Sequence, residues 1–371
     1  MTRSDSLAAI QTCISNSLSD FIVGDKAITG VLGDSPSRYS RSPRLWNAAF
    51  AELGIEAVYL PLDISSDQLP QVITILRQSE SFWGANVTVP HKLAVMNFLD
   101  EIDPGARRIN AVNTIVRTSA GRLIGYNTDG EGFVQSILQS SENFSESFIS
   151  SLTGMNVLLI GAGGSARAVG FHTAELLDGG KLLICNRTIE AAVALADAVQ
   201  RQGYKALSIS EAQLPEHVLT VGLIINSTTK GQGGVRKLSG GRITKLEPYS
   251  ALAPAHPPVF AAFELDNVDF DRTWLEAARV DIQTNQDVSL RLANSIPSHV
   301  RFYDLIYYPE ETVFLRHGRI TGHYCMNGKE MIMHQAAIAF YEHICREHLK
   351  NRGIDGIGTQ NKILQAMRRA W

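Results

Sequence analysis

The sequence predicts an α/β protein of two domains, each carrying a mostly parallel sheet, and three observations lead there. The 371 residues are long for one domain and comfortable for two. Short apolar runs alternate with stretches of helical periodicity from Ile28 to Leu99 and again from Met155 onward. That alternation implies parallel strands joined by crossover helices. Between the two stretches, residues 140–151 are rich in serine and glutamate and read as a linker.

The elements follow in order. Ile28 to Gly33 is an apolar run ending in glycine and reads as a strand. Ser42 suits an N-cap and Pro43 a first helical position, where a missing N–H costs nothing. Leu45, Ala48, Ala49 and Leu53 then recur at helical spacing until Gly54. Ala57 to Leu62 is a second strand, Gln68 to Arg77 a helix, Ala85 to Val89 a third strand, and Pro90 to Leu99 a helix with Lys92 in its first turn. Asn113–Arg117 and Arg122–Tyr126 flank Thr118-Ser-Ala-Gly121, a hairpin signal. Asp129 opens a helix through Phe133, Ile137 and Leu138. Val157–Ile160, Leu182–Cys185, Leu223–Asn226 and Phe302–Tyr307 read as strands. Helices are expected at Ser165–Leu177, 189–202 and Met331–Glu347. From Gly233 to Ser298 the pattern yields only a helix at 271–278.

Composition narrows the function. Hydrophobic residues make up 44% and charged residues 19%, as in a globular chain with a sizeable core. The net charge of −3 includes no long run of one sign, so no nucleic-acid partner is expected. The four cysteines are scattered and form no C-x-x-C pair, so no metal is expected and a cytoplasmic location fits. No apolar stretch reaches the length of a membrane span, and no membrane partner is expected. The segment up to about residue 25 reads as a surface helix or a loose extension rather than a signal peptide.

Gly161, Gly163 and Ala166 form a G-x-G-x-x-A turn that follows a strand and opens a helix, with Ala162, Gly164 and Ser165 filling it. The first glycine permits the tight turn and the second lets backbone approach a pyrophosphate. The small third residue brings helix and sheet together. The helix N-terminus offers free N–H groups to phosphate. A nicotinamide dinucleotide is therefore expected. The next strand ends in Asn186-Arg187-Thr188 rather than in an acidic residue. Arginine can pair with a 2′-phosphate, so NADP is favoured and NAD is the alternative.

Two motifs carry the chemistry. Lys92 ends Asn86-Val-Thr88-Val-Pro90-His91-Lys92, and Asp129 sits in Asn127-Thr128-Asp129-Gly130-Glu131-Gly132. Hydride reduction of a ketone leaves charge on oxygen, which a nearby ammonium can stabilise and protonate. A neighbouring carboxylate would orient that ammonium. Both residues follow predicted strands, whose ends converge on one sheet edge where ligands bind. Ser40, Ser42, Thr88, Asn86, Asn113 and Gln335 add neutral hydrogen-bonding groups, suited to a small polyhydroxylated acid.

These residues resemble the shikimate dehydrogenase family. The match runs from about Ile28 to Phe340. It rests on Ser40-Arg-Ser42-Pro43, the Lys92 motif, Ala111-Val-Asn113-Thr114, Gly125 to Gly132, Gly161 to Gly164, Asn186-Arg-Thr188, Asn226-Ser-Thr228, Asp304-Leu-Ile-Tyr307 and His334-Gln335-Ala336. The resemblance implies an NADP-linked oxidoreductase that interconverts 3-dehydroshikimate and shikimate, with Lys92 and Asp129 as the catalytic pair. It implies a substrate shell of Ser40, Ser42, Thr88, Asn113, Tyr307 and Gln335. The implied cofactor shell is residues 161–165 and 186–188 with Thr228 and Gly328. It also implies a substrate domain over 1–135, to which helices of about 328–371 return, and a Rossmann domain over 150–327 with a long insertion at 233–300.

The chain departs from the family pattern at Trp46, where histidine is usual, and at Asn110, Lys329-Glu330 and Glu190-Ala191. Two alternatives follow: the same chemistry on quinate, an aminoshikimate or another cyclic hydroxy acid, or a ligand-sensing module without turnover. A monomer or homodimer is expected.

Overall fold

A computed structural model describes residues 3–139, 146–238, 240–266 and 268–371. Part of the expected linker, residues 140–145, lies outside them. The chain divides into two compact units. One runs to Ser136 and resumes at Met331–Trp371; the other is Ile137–Glu330. Among the described residues no helix is long and apolar enough to cross a membrane.

The first unit holds β1 (Ala27–Gly33), β2 (Ala57–Asp63), β3 (Phe82–Val87), β4 (Glu101–Ile102), β5 (Thr114–Arg117) and β6 (Leu123–Tyr126). They form one sheet in the order β2-β1-β3-β5-β6-β4. β1 pairs parallel with β2 and β3, whereas β5 runs antiparallel to both β3 and β6. β1 and β2 are buried along their whole length, so alternate side chains serve two cores. Ile28, Leu32, Val58, Leu60 and Leu62 enter one core with Val72 and Ile73 of the helix Leu69–Gln78. Ala27, Val31, Ala57 and Tyr59 enter the other with Trp46 and Phe50 of the helix Ser42–Leu53. That second core also takes Phe340, Ile363 and Met367 from the C-terminal helices.

Several expectations change here. The N-terminal segment is not a loose extension: it forms the helix Arg3–Gln11, with Ala8 and Gln11 exposed. Ile10 of that helix, and Cys13, Ile14, Leu18 and Val23 beyond it, are buried in the first core. A buried large aliphatic side chain contributes roughly 1.5–3 kcal/mol, enough to hold such a segment down. Ser42 is the first residue of its helix, and Arg41 occupies the cap position; Ser40 Oγ accepts from the Ser42 N–H at 3.2 Å. Residues 89–93 form turns, and only Ala94–Phe98 is helical, as a short 3-10 segment, so Lys92 lies on a turn rather than in a helix.

The second unit has β7 (Val157–Ile160), β8 (Leu182–Cys185), β9 (Ala206–Ile209), β10 (Leu223–Asn226), β11 (Val235–Leu238), β12 (Arg242–Lys245), β13 (Phe260–Ala261), β14 (Arg301–Asp304) and β15 (Cys325–Met326). Six of these form an all-parallel sheet in the order β15-β14-β10-β7-β8-β9, a doubly wound dinucleotide-binding arrangement. β14 stops at Asp304, three residues short of the expected end. The stretch that the pattern could not resolve contains the small antiparallel sheet β11-β12-β13 and a helix, Phe270–Ser295, of 26 residues. Phe270, Trp274 and Ala278 from the start of that helix pack with Ile243 and Tyr249. Leu292 and Ala293 near its end join Phe302 and Phe314 in the main core.

Candidate active site

Register brings the first unit's functional residues to one edge. Asn86, near the end of β3, faces Thr114, the first residue of β5, and Thr114 faces Tyr126, the last residue of β6. The chain leaving β3, the chain entering β5 and the chain leaving β6 therefore converge. Lys92 lies on the first, Asn113 on the second, and Thr128 and Asp129 on the third.

The turn that carries Lys92 is held from two sides. His91 is buried, and its Nε2 lies 2.8 Å from the carbonyl of Ile64, just past β2. The backbone carbonyl of Lys92 accepts from the Val112 N–H at 2.9 Å. Lys92 Nζ then donates to Asp129 Oδ2 at 2.5 Å, with the two side chains only 12% and 7% exposed. Asn127 places the carboxylate: its Oδ1 accepts from the Asp129 N–H at 3.1 Å and its Nδ2 donates to the Ala111 carbonyl at 2.9 Å.

The other carboxylate oxygen ends a directed relay of neutral groups. Tyr59 donates to Asn86 Oδ1 at 2.7 Å, and Asn86 Nδ2 donates to Thr114 Oγ1 at 3.0 Å. Thr114 donates to Asn113 Oδ1 at 2.9 Å, an oxygen that also accepts from the Thr128 N–H at 2.9 Å. Asn113 Nδ2 is thereby turned toward Asp129 Oδ1, at 2.8 Å. Burial holds the Tyr59 hydroxyl well above its ordinary pKa, against opposing bonds from Ser42 and Asn86, so it stays a donor. Trp46 stacks on Tyr59 at 4.7 Å between ring centroids, and its buried indole N–H finds no acceptor among the described residues.

Gln335 arrives from the C-terminal part of the unit. Its Oε1 lies 3.2 Å from Asn113 Nδ2, and its backbone carbonyl accepts from Thr128 Oγ1 at 3.1 Å. Glycine at 132 makes this approach possible, because a Cβ there would sit 2.6 Å from the Cβ and the N of Gln335. Ser40, Ser42 and Thr88 are half-buried at the same edge: the first two follow β1, and Thr88 follows β3 with its N–H on the Leu32 carbonyl at 2.8 Å. Tyr307 falls in the second unit, three residues past β14. Tyr59, His91, Asn127 and Thr128 complete the first-unit site. The Lys92 and Asp129 motifs contain the last three, whereas Tyr59 has no signal beyond its place in an apolar run.

In the second unit, Ile160 of β7 is in register with Cys185 of β8 and Asn226 of β10, so the three following loops share an edge. Gly161 has φ 119°, and a Cβ on it would collide with Ser227. Ser227 Oγ in turn donates to the Ile160 carbonyl at 2.8 Å. Gly163 opens onto empty space and precedes the helix Gly164–Leu176 without a side-chain cap, and the N-terminus of a helix is where an anion is favoured. Ala162, Gly164 and Ser165 complete that turn. Ala166 is fully buried against the sheet. Asn186 Nδ2 donates to the Thr188 carbonyl at 2.9 Å, and Arg187 between them is exposed. Thr228 is fixed by two bonds to Asn226 Oδ1, at 2.9 Å from its N–H and 2.8 Å from its hydroxyl. Gly328 leaves no room for a Cβ beside the Leu305 backbone. An open glycine cradle at a helix N-terminus and an exposed arginine after the second strand fit a phosphorylated dinucleotide.

Comparison with known proteins agrees with this geometry. Residues 31–115 match the family model described as shikimate dehydrogenase substrate binding domain, and residues 143–239 match the one described as shikimate / quinate 5-dehydrogenase. The chain is 35% identical over 319 residues to the shikimate dehydrogenase (NADP(+)) of Carboxydothermus hydrogenoformans, covering 86% of this chain and 92% of that one. It is 34% identical over 321 residues to that of Symbiobacterium thermophilum, covering 85% and 88%. Among solved structures, it is similar to a shikimate 5-dehydrogenase from Thermus thermophilus in complex with NADP(H) and shikimate. There the TM-score is 0.62 and the identity 27%, over 93% of this chain and all of that one.

Proposed function

The chain belongs to the shikimate dehydrogenase family, and on that premise we propose that it catalyses the reversible NADP-linked reduction of 3-dehydroshikimate to shikimate. The observation that carries the reading is the buried contact between Lys92 Nζ and Asp129 Oδ2. The names of the relatives above support the substrate and the cofactor.

The nicotinamide, when bound, supplies the hydride. What remains is proton handling and placement, and this chain's residues are suited to both. Lys92 donates a proton to the oxygen on which charge develops during reduction, and accepts one during oxidation. Asp129 holds the ammonium with one oxygen while Asn113 holds the other, so the pair needs little rearrangement as charge moves. Ser40, Ser42, Thr88, Asn113 and Gln335 offer hydroxyl and amide groups that can both donate to and accept from substrate hydroxyls and carboxylate. Tyr307 is proposed as a further member of that shell. Residues 161–165 and 186–188 with Thr228 and Gly328 are proposed to hold the cofactor. A cytoplasmic setting is supported by four unpaired cysteines.

A second reading keeps the chemistry and changes the acid to quinate, which the matched family description also names. A spectrophotometric assay with shikimate and with quinate, each against NADP and NAD, tests both. The expected result is the highest kcat/KM with shikimate and NADP. No nicotinamide absorbance change with any of the four combinations would remove the enzyme reading.

A further inference from the structure

We infer that the long segment between β10 and β14 supplies a second arginine to the cofactor: Arg236 of β11 and Arg187 after β8 together clamp the 2′-phosphate of NADP. The inference rests on the NADP reading above and deepens it. It concerns only the second unit.

Arg187 stands where the strand order places the ribose of a dinucleotide, immediately after the strand that follows the glycine turn. It is exposed, and no carboxylate pairs with it among the described residues. β11 is an edge strand of the small antiparallel sheet, and Arg236 there pairs across the ladder with Thr244. Its Nη1 donates to Thr229 Oγ1. Thr229 belongs to the loop leaving β10, the same loop whose Ser227 bears on Gly161 and bonds to Ile160. The guanidinium is thus tied to the sheet edge that carries the glycine cradle, although its own strand lies in the insertion.

Electrostatics support the pairing. The Arg236 pKa is lowered from its ordinary value, first by desolvation of the guanidinium and then by the positive charge of Arg187. No carboxylate pairs with Arg236 among the described residues either. Two like charges kept within each other's field repel, and a doubly charged phosphate between them turns repulsion into attraction. Guanidinium forks suit phosphate oxygens, each able to give two parallel hydrogen bonds. An insertion would then serve cofactor choice as well as packing.

Calorimetric titration of the full chain tests this, with adenosine 2′,5′-bisphosphate and 5′-AMP as probes. The wild type should prefer the bisphosphate, and Arg236→Gln should weaken its binding about tenfold while leaving 5′-AMP binding unchanged. Unchanged 5′-AMP binding also reports an intact adenosine site. Arg236→Lys should recover only part of the loss, because a point charge lacks the fork. A wild-type preference that Arg236→Gln retains in full overturns the clamp and leaves the NADP reading standing. Equal wild-type affinity for the two probes overturns both. Loss of both probes together in Arg236→Gln marks the residue as structural and also overturns the clamp.

Discussion

Lys92 and Asp129 lie 37 residues apart in the chain, and small polar side chains on both sides decide how they meet. Asn127 and Asn113 do most of that work, each using both ends of its amide on the turns around the pair. Replacing Lys92 by alanine should lower kcat by about 10²- to 10⁴-fold, the range for a lost general acid, while the KM for shikimate moves far less. Steady-state kinetics on that variant settle the matter; an unaltered kcat would end the role given to Lys92. At this scale the polar motifs name Lys92, Asp129 and Asn113 as candidates in the sequence, but spacing alone fits solvated surface groups equally well, and their contact is a fact of the fold. The motifs do not mark Tyr59. A tyrosine in an apolar strand reads as core, and its acceptor is 27 residues away.

At the scale of elements, the helices Asp129–Leu138 and Lys329–Ile338 meet at Gly132 and Gln335. A methyl group at 132 must push the second helix away, because the atoms it meets are the backbone and Cβ of Gln335 rather than a flexible end. Gly132→Ala should therefore cost about 1–3 kcal/mol of stability and raise the KM for shikimate. Urea unfolding and kinetics on the same preparation check both; a fully stable variant with native KM would refute the close approach. The helix Phe270–Ser295, expected only over 271–278, shows why part of an element stays hidden in a sequence. Its inward face includes Asn285 and Ser289, both buried. Asn285 Oδ1 accepts from the Ser250 N–H at 2.8 Å, and its Nδ2 donates to the carbonyls of Ala253 and Pro254. Ser289 Oγ lies 2.8 Å from His317 Nδ1. Polar residues on the buried stripe erase the apolar period by which a helix is recognised. The C-terminal tail reads as one helix by period, yet Ala339–Ile344 is a π-type turn between Lys329–Ile338 and Arg346–Asn351. A single wider turn scarcely disturbs side-chain spacing.

For the whole molecule, buried histidines in both units set an acid limit. Burial, followed by a nearby arginine charge, lowers His317 and His334 from 6.5 to about 4. The nearby charge is Arg316 for His317 and Arg368 for His334. Between those values the unfolded chain binds protons that the folded chain refuses. Their contribution to stability is therefore complete above pH 6.5 and is lost as pH falls toward about 4. Each histidine adds a slope of up to about 1.4 kcal/mol per pH unit in that window. Urea midpoints measured across it should fall with acidification, and His317→Gln and His334→Gln should each flatten the fall. An identical slope in wild type and both variants would sink this account.

The sequence by itself determined what short-range chemistry encodes: the α/β class, nine of the twelve strands in the two six-stranded sheets though not β4, β9 or β15, the glycine turn, and the two charged residues that meet. Those signals live in side-chain period and turn preference, which need no knowledge of distant residues. Only the tertiary structure decided that Asn86, Thr114 and Tyr126 stand abreast. The arrival of Gln335 from 222 residues beyond Asn113, and the position of Arg236 in the field of Arg187, were likewise settled there. Strand register and helix docking depend on how whole faces pack, and no local window of residues contains that information.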